Sequence, residues 1–569
     1  MENIDLKIAN LPDNAAAEVT ADAYNGASRF TIRIRPKDGA LRLRGLKLCF
    51  SRDSAGVVGC WYPKIRDHGF RPTWAQKYTS EYASGAPVIS FYAADDSNRL
   101  TAALSDSIHR WVFSAGANEN TGGLDFIATL DDFSGDAYGV ELLVDTSNRP
   151  YYDAVRLAAD WWKSFGAPHI PPAAYDPVFS TWYVYHHDVN EARMMRCCAQ
   201  MKEFGFGTLF IDAGWNAPDD SPGALHAGDW TPNPEKFPDM KRFVDYAHAH
   251  GIKVVLWAAP GVAGYESRVA RRYAGKFLYD LKAINCWILD PRYPEIRANV
   301  CRDLCDLVRQ TGIDGLKLDF IDSITGADCP LDAGRDFVSV GDALRDMLET
   351  IHRQLTAINP EFLIEFRQRY TGAEITKNCN LLRSGDCPQD SLTNRMNTVD
   401  LRLHTNAAVH ADMVQFLPGE DAEISALQIV NILFSTPQIS VDLERLDARQ
   451  AAMLRFWIRF MSEKRALLQH GHFAAHRCDA NFTSVAAETA AEKLVALYAE
   501  RVCSLCGKTQ YIVNAFSEAP IIVCADARRF RVRVTDCAGQ MVYAAERQIN
   551  GCEAIAIPLC GMAEFAALN

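Results

Sequence analysis

Between residues 175 and 470 short apolar runs alternate with amphipathic stretches, and the run recurs eight times. In order the runs are VFSTWYV, TLFIDAG, IKVVLWA, GLKLDFI, EFLIEFR, NLLRSGD, ADMVQFL and PQISVDL. The intervening segments, such as residues 190–204 and KRFVDYAHAH, carry the spacing of helices with one apolar face. A strand apolar on both sides belongs in a parallel sheet covered by helices on both faces. Eight such units within about 290 residues fit a closed (β/α)8 TIM barrel better than an open sheet.

The flanks read differently. FTIRIRP, LRLRGLKLCF and GVELLVD alternate apolar and polar side chains, which places a β-sandwich over residues 1–165. A helix, YYDAVRLAADWWKSFG, follows, and Pro168, Pro171 and Pro172 mark the passage into the barrel, taken as 170–470. From 472 to 569 alternation returns in YIVNAF, RFRVRVTD and EAIAIPL, predicting a small antiparallel β domain. The expected fold is thus α/β, a central barrel between two β domains.

The chain has 569 residues and a formal net charge of -12, which argues against nucleic acid or an anionic membrane as partner. No run of apolar residues is long enough to span a bilayer, and MENIDLKIANLPDNAAAEV does not read as a signal peptide. The 17 cysteines are odd in number and scattered, so a reducing, cytoplasmic setting is expected. Cys503 and Cys506 form a lone CxxC without a second ligand pair, so no metal is expected, and no cofactor. Self-assembly into a homo-oligomer stays open.

Barrel enzymes keep their chemistry at the C-terminal ends of the strands. The second run ends in Asp212, the fourth in Asp319, the fifth in Glu365 and Arg367, and the sixth in Asp386. A carboxylate ending a buried strand must be offset by a partner or by function. Several converging carboxylates, with neither a histidine triad nor an evident metal set, suit glycoside hydrolysis. There one acid must be ionised to attack the anomeric carbon while the other carries the proton for the leaving group. A barrel mouth can separate them by setting one near cations and the other near apolar walls and a like charge. Lys317 precedes Asp319 by two residues and so shares its side of the strand.

These residues also carry a family resemblance. GDWTPNPEKFPDMKRFVDYAHAHGIKVVLW resembles the stretch between barrel strands two and three of the melibiase-type α-galactosidases, glycoside hydrolase family 36. FIDAGW is similar to that family's Asp-Asp-Gly-Trp motif, DGLKLDF to its Lys-x-Asp strand, and SGDCPQDSLTNR to its Ser-Asp segment. The resemblance covers about residues 175–440. It implies a retaining α-glycosidase acting on a terminal α-linked hexose of a small oligosaccharide or glycoside. Asp319 would be the nucleophile and Asp386 the acid/base; Asp212 and Lys317 would contact sugar hydroxyls. Trp215, Trp230 and Trp257 are candidate ring-stacking faces, with core packing as the commoner fate of a tryptophan.

The sequence departs from the pattern at several places. Ala213 stands where the family has its second aspartate, WAAPGVAG lacks the expected glutamate, and IEFRQRY replaces a Cys- and Gly-rich run ending in arginine. Arg367 or Arg369 would then fill the arginine's place. The N-terminal region is also shorter than the family's sandwich. Arg367, Arg369, Arg383 and Arg395 crowd the ends of strands five and six. They would bind an anionic sugar if free, or pair with Glu365, Asp386 and Asp390 if not. Rival readings are an α-glucosidase or α-N-acetylgalactosaminidase, a transglycosylase, a Schiff-base aldolase on Lys317, a metal-dependent hydrolase and an inactive sugar-binding protein. Against a metal site, His186 and His187 are adjacent and would point to opposite faces of a strand.

Overall fold

The computed structural model describes residues 4–63, 66–218, 223–332 and 334–568. Eight parallel strands form the central sheet: β1 (Val178–Ser180), β2 (Thr208–Ile211), β3 (Lys253–Ala258), β4 (Gly315–Leu318), β5 (Leu363–Arg367), β6 (Leu381–Arg383), β7 (Ala408–His410) and β8 (Gln438–Ile439). From β1 to β7 each strand pairs with its sequence neighbours, and β1 also pairs with β8 through Val178↔Gln438. Parallel bridges His410↔Thr436 and Val414↔Ile439 close the seam between β7 and β8. The result is the (β/α)8 TIM barrel expected.

Local signals set the barrel helices. Asn190 accepts the Arg193 N–H to start the helix Glu191–Phe204, and Gly205 ends it in the left-handed conformation (φ 86°, ψ 23°). Asp239 caps Met240–Ala249 in the same way. Inside the barrel, Val178, Phe210, Val255, Leu363, Leu381 and Ala408 pack together as an apolar floor, with Ala174 beside them. Two residues further along the strands the interior becomes polar, with Asp212, Lys317, Glu365, Arg383, His410 and Gln438 all buried. This follows from period-two alternation, which returns each strand to the same face one layer higher.

Two six-stranded antiparallel sheets lie between Lys7 and Asp145 and enclose one apolar core. They dock on the barrel: the Gly85 N–H donates to the Arg369 carbonyl, and Trp61 Nε1 donates to Asp400 at 2.9 Å. Strands from His472 to Ala567 form an eight-stranded C-terminal sheet. It is mainly antiparallel, with parallel pairings of Glu492–Leu497 with Thr509–Asn514 and of Val502–Ser504 with Ile521–Thr535.

Two expectations change. The seventh strand is Ala408–His410, not residues 411–417; only Val414 of that run bridges to the sheet. And the cysteines are not all unpaired: Cys524 and Cys552 face each other across a hairpin and form a disulfide, leaving fifteen free. Cys503 and Cys506 both bond Gln510. Among the described residues no helix is long and apolar enough to cross a membrane.

Candidate active site

The polar layer leads upward to two carboxylates at the strand ends. Lys317 and Glu365 are register partners on β4 and β5. Lys317 Nζ lies 2.6 Å from Asp212 Oδ2, with both side chains buried. Burial works against the ammonium, but Asp212 and Asp319 outweigh it and hold Lys317 charged.

Asp319 follows β4, its N–H bonded to the Ala258 carbonyl at 2.9 Å. Oδ1 receives Arg367 Nε at 2.6 Å and the Phe320 N–H at 2.7 Å. Among the described residues Oδ2 receives only Trp257 Nε1, at 3.2 Å, and is the less encumbered oxygen. Burial would raise this carboxyl, yet Arg367 and Lys317 overcome burial and hold it well below the usual carboxylate range. Asp319 is therefore ionised at neutral pH, as a nucleophile must be.

Asp386, beyond β6, lines the same cavity. Its side chain is 58% exposed, and Oδ1 receives Arg383 Nη2 at 2.8 Å. Arg383 is the main influence and holds the carboxyl below its ordinary value, against the opposing effect of burial. The expectation of an acid kept protonated by apolar walls is thus not met in the free chain, because a buried arginine stands beside it. Arg383 also pairs with Asp412, and its Nε lies 3.6 Å from Glu365 Oε1.

Asp412 escaped the sequence reading because it was placed inside the seventh strand. It sits just past the end of that strand, fully buried, and accepts the Cys387 N–H at 2.7 Å and the Tyr183 hydroxyl at 2.9 Å. The available signal was the short run AAVHAD, ending in aspartate. Around this centre three cations (Lys317, Arg367, Arg383) meet six carboxylates (Asp212, Asp319, Asp322, Asp386, Asp412, Glu365). All six cannot stay ionised cheaply. Burial pushes Glu365 up to about 7 despite Arg383 and Lys317, and it likewise raises Asp322 and Asp412.

The other predicted residues separate by position. Trp257 lines the cavity, of about 390 Å³, together with Asp212, Ala213 and Lys317. Trp215 does not: it is fully buried, its Nε1 bonded to the Trp257 carbonyl at 3.0 Å. Trp230 packs edge-on against Trp257. Arg367 lies beside Asp319 and Arg369 is exposed, but Arg367 is engaged by Asp319, Asp322 and the Gln368 carbonyl rather than open to substrate. Arg383 is enclosed by carboxylates, and Arg395 bonds Asn431 and the Asn481 carbonyl. Arg367, Arg383 and Arg395 are thus engaged within the protein rather than open to an anionic sugar. The region after Ser180, read as strand, is instead a helical turn, Trp182–Tyr185. It brings Trp182, His186 and His187 to the cavity wall, so the two histidines do not face opposite ways.

Residues 173–365 match the Melibiase family. The chain is 28% identical over 149 residues to α-galactosidase 1 of Pediococcus pentosaceus, which is 25% of this chain and 20% of that protein. It is 28% identical over 118 residues to an A type blood α-D-galactosamine galactosaminidase of Flavonifractor plautii, covering 20% of this chain and 10% of that one. The matched stretches thus span a fifth or less of these relatives. The fold extends much further: a family GH36 α-galactosidase from Geobacillus stearothermophilus, crystallised with raffinose, superposes with a TM-score of 0.71 over 97% of this chain and 81% of its own, at 14% identity. The chain therefore matches the Melibiase family over residues 173–365 and shares the fold of that GH36 structure along nearly its whole length.

Proposed function

We propose that the protein is a retaining, α-galactosidase-like glycoside hydrolase that cleaves a terminal α-linked hexose by double displacement. The observation that carries this reading is the pairing of two carboxylates on one cavity: Asp319, ionised beside Arg367 and Lys317, and the rim carboxylate Asp386. Asp319 Oδ2 attacks the anomeric carbon and forms a covalent glycosyl-enzyme. Asp386 delivers its proton to the departing oxygen, then takes one from the water that releases the sugar. Asp212 and Lys317 hold hydroxyls on the cavity floor, and Trp257 offers an apolar face. Because Arg383 favours ionised Asp386, the first step draws on a minor protonated form at neutral pH and runs faster as pH falls.

The relatives' names and the raffinose complex support a galactosyl oligosaccharide as substrate. Ala213 supports a second sugar: it lines the cavity with a methyl group where a hydroxyl-binding carboxylate would narrow selection, so an α-N-acetylgalactosaminide also fits. Fifteen unpaired cysteines suit a cytoplasmic setting. The test is turnover of nitrophenyl α-galactoside, α-glucoside, α-N-acetylgalactosaminide, β-arabinopyranoside and an anionic α-glycoside, with the first-formed anomer followed by NMR. Preference for α-galactoside with retention is expected. An inverted product refutes the mechanism, and turnover of the anionic glycoside alone refutes the substrate.

A further inference from the structure

His186 stands in the cavity wall with an unusual backbone: φ is 48° and ψ is -123°. This is the mirror image of extended backbone, a region open to glycine and strained for any residue bearing a Cβ. It is not an ordinary helix-ending conformation, which in this chain is left-handed with positive ψ, as at Gly205 and Gly312. The surroundings enforce the strain. The His186 N–H donates to the Trp182 carbonyl and the Asp188 N–H to that of Tyr185. Lys236 Nζ ties the His187 carbonyl at 2.8 Å, and a Cβ on Gly214 would lie 2.7 Å from the His187 backbone. Glycine would fit this turn without strain, yet the sequence has histidine.

The side chain is where that histidine has use. Among the described residues no hydrogen bond or ion pair holds the imidazole; it meets only Trp182, edge-on at 5.0 Å. It is exposed, whereas Asp212, Trp257, Lys317 and Asp319 at the cavity floor are buried. The cavity thus has a depth order: a floor that grips the sugar being transferred, and a rim where Asp386, held by Arg383, and His186 are exposed. A leaving group must lie toward the rim, beside the residue that protonates it.

We propose that His186 is a specificity residue of the leaving-group subsite, hydrogen-bonding a hydroxyl of a second sugar unit; this rests on the function proposed above. Imidazole carries both a donor and an acceptor, matching a sugar hydroxyl, which is also both.

The experiment compares an α-1,6-linked galactosyl disaccharide with α-galactosyl fluoride, whose leaving group is one atom. His186→Gly should lower kcat/KM for the disaccharide about five- to tenfold, the loss of one hydrogen bond, and leave the fluoride within about twofold. Relief of the backbone should raise its melting temperature by a few degrees, while His186→Ala gains none. His186→Gln, which keeps a donor and an acceptor, should retain more disaccharide activity than His186→Ala. Equal losses on both substrates, or an unaffected disaccharide, overturn the inference; so does a lower melting temperature for His186→Gly. If the wild type hydrolyses neither substrate, the proposed function fails and takes this inference with it. Wild-type turnover of both, with an unmoved ratio, refutes His186 alone.

Discussion

Replacing Arg367 by methionine isolates what keeps Asp319 ionised. The guanidinium Nε sits 2.6 Å from Oδ1, with the two side chains 17% and 12% exposed. Bare Coulomb attraction at that distance is roughly 6 kcal/mol with an effective dielectric constant near 20. Desolvation of both partners consumes much of it, and an opposite charge at contact lowers an aspartate by about 1–3 pH units, or roughly 1.4–4 kcal/mol. Lys317 remains in the variant, but burial then has more influence. Asp319 should return to the ordinary carboxylate range or above it. The nucleophile works only when ionised, so activity is lost as pH falls through its pKa. In the wild type that loss lies below the usual carboxylate range. In Arg367→Met the acidic limb of kcat/KM for α-galactosyl fluoride should move up by about 1–3 units. The fluoride is chosen because its departure does not need Asp386 protonated. Arg367→Lys keeps the charge and should move the limb by less than about one unit. A limb that stays put in Arg367→Met, or that moves equally in both variants, refutes the assignment.

Three further outcomes are expected. Asp319→Asn should lose nearly all turnover, several kcal/mol of barrier, and azide should not restore it with retained configuration; more than about a tenth of wild-type rate rejects Asp319 as nucleophile. Asp386→Ala should impair disaccharides far more than the fluoride, and azide should yield an α-glycosyl azide; equal losses on good and poor leaving groups reject it as the acid. Glu365, raised from 4.5 to about 7, binds more protons folded than unfolded between those values. Stability should therefore fall as pH rises through that window, by about 3 kcal/mol in all, and Glu365→Gln should flatten the fall in denaturant melts; an unchanged slope refutes the raised carboxyl.

The barrel itself was legible because its signal is local. Eight apolar runs separated by amphipathic segments leave a chain few other ways to bury them, and an aspartate just beyond such a run must project from the strand ends. Asp212, Lys317, Asp319 and Asp386 could therefore be placed on one mouth before any strand was paired. Strand limits are a different matter, since they depend on neighbours. Ala408–His410 became β7 because Leu381–Arg383 pairs with it on one side and Thr436 bridges to His410 on the other. That register, invisible in ADMVQFL, set Asp412 at the strand end. The turn after Ser180 likewise depends on Gly214 and Lys236, far along the chain, and without them His186 and His187 read as strand. Charge pairing was the furthest out of reach. Arg383 is engaged by residues 3, 18 and 29 positions away (Asp386, Glu365 and Asp412), and Arg367 by Asp319, 48 positions back. Composition reveals that arginines are present; only the fold decides which carboxylate each one neutralises, because Coulomb energy depends on distances that tertiary packing alone creates.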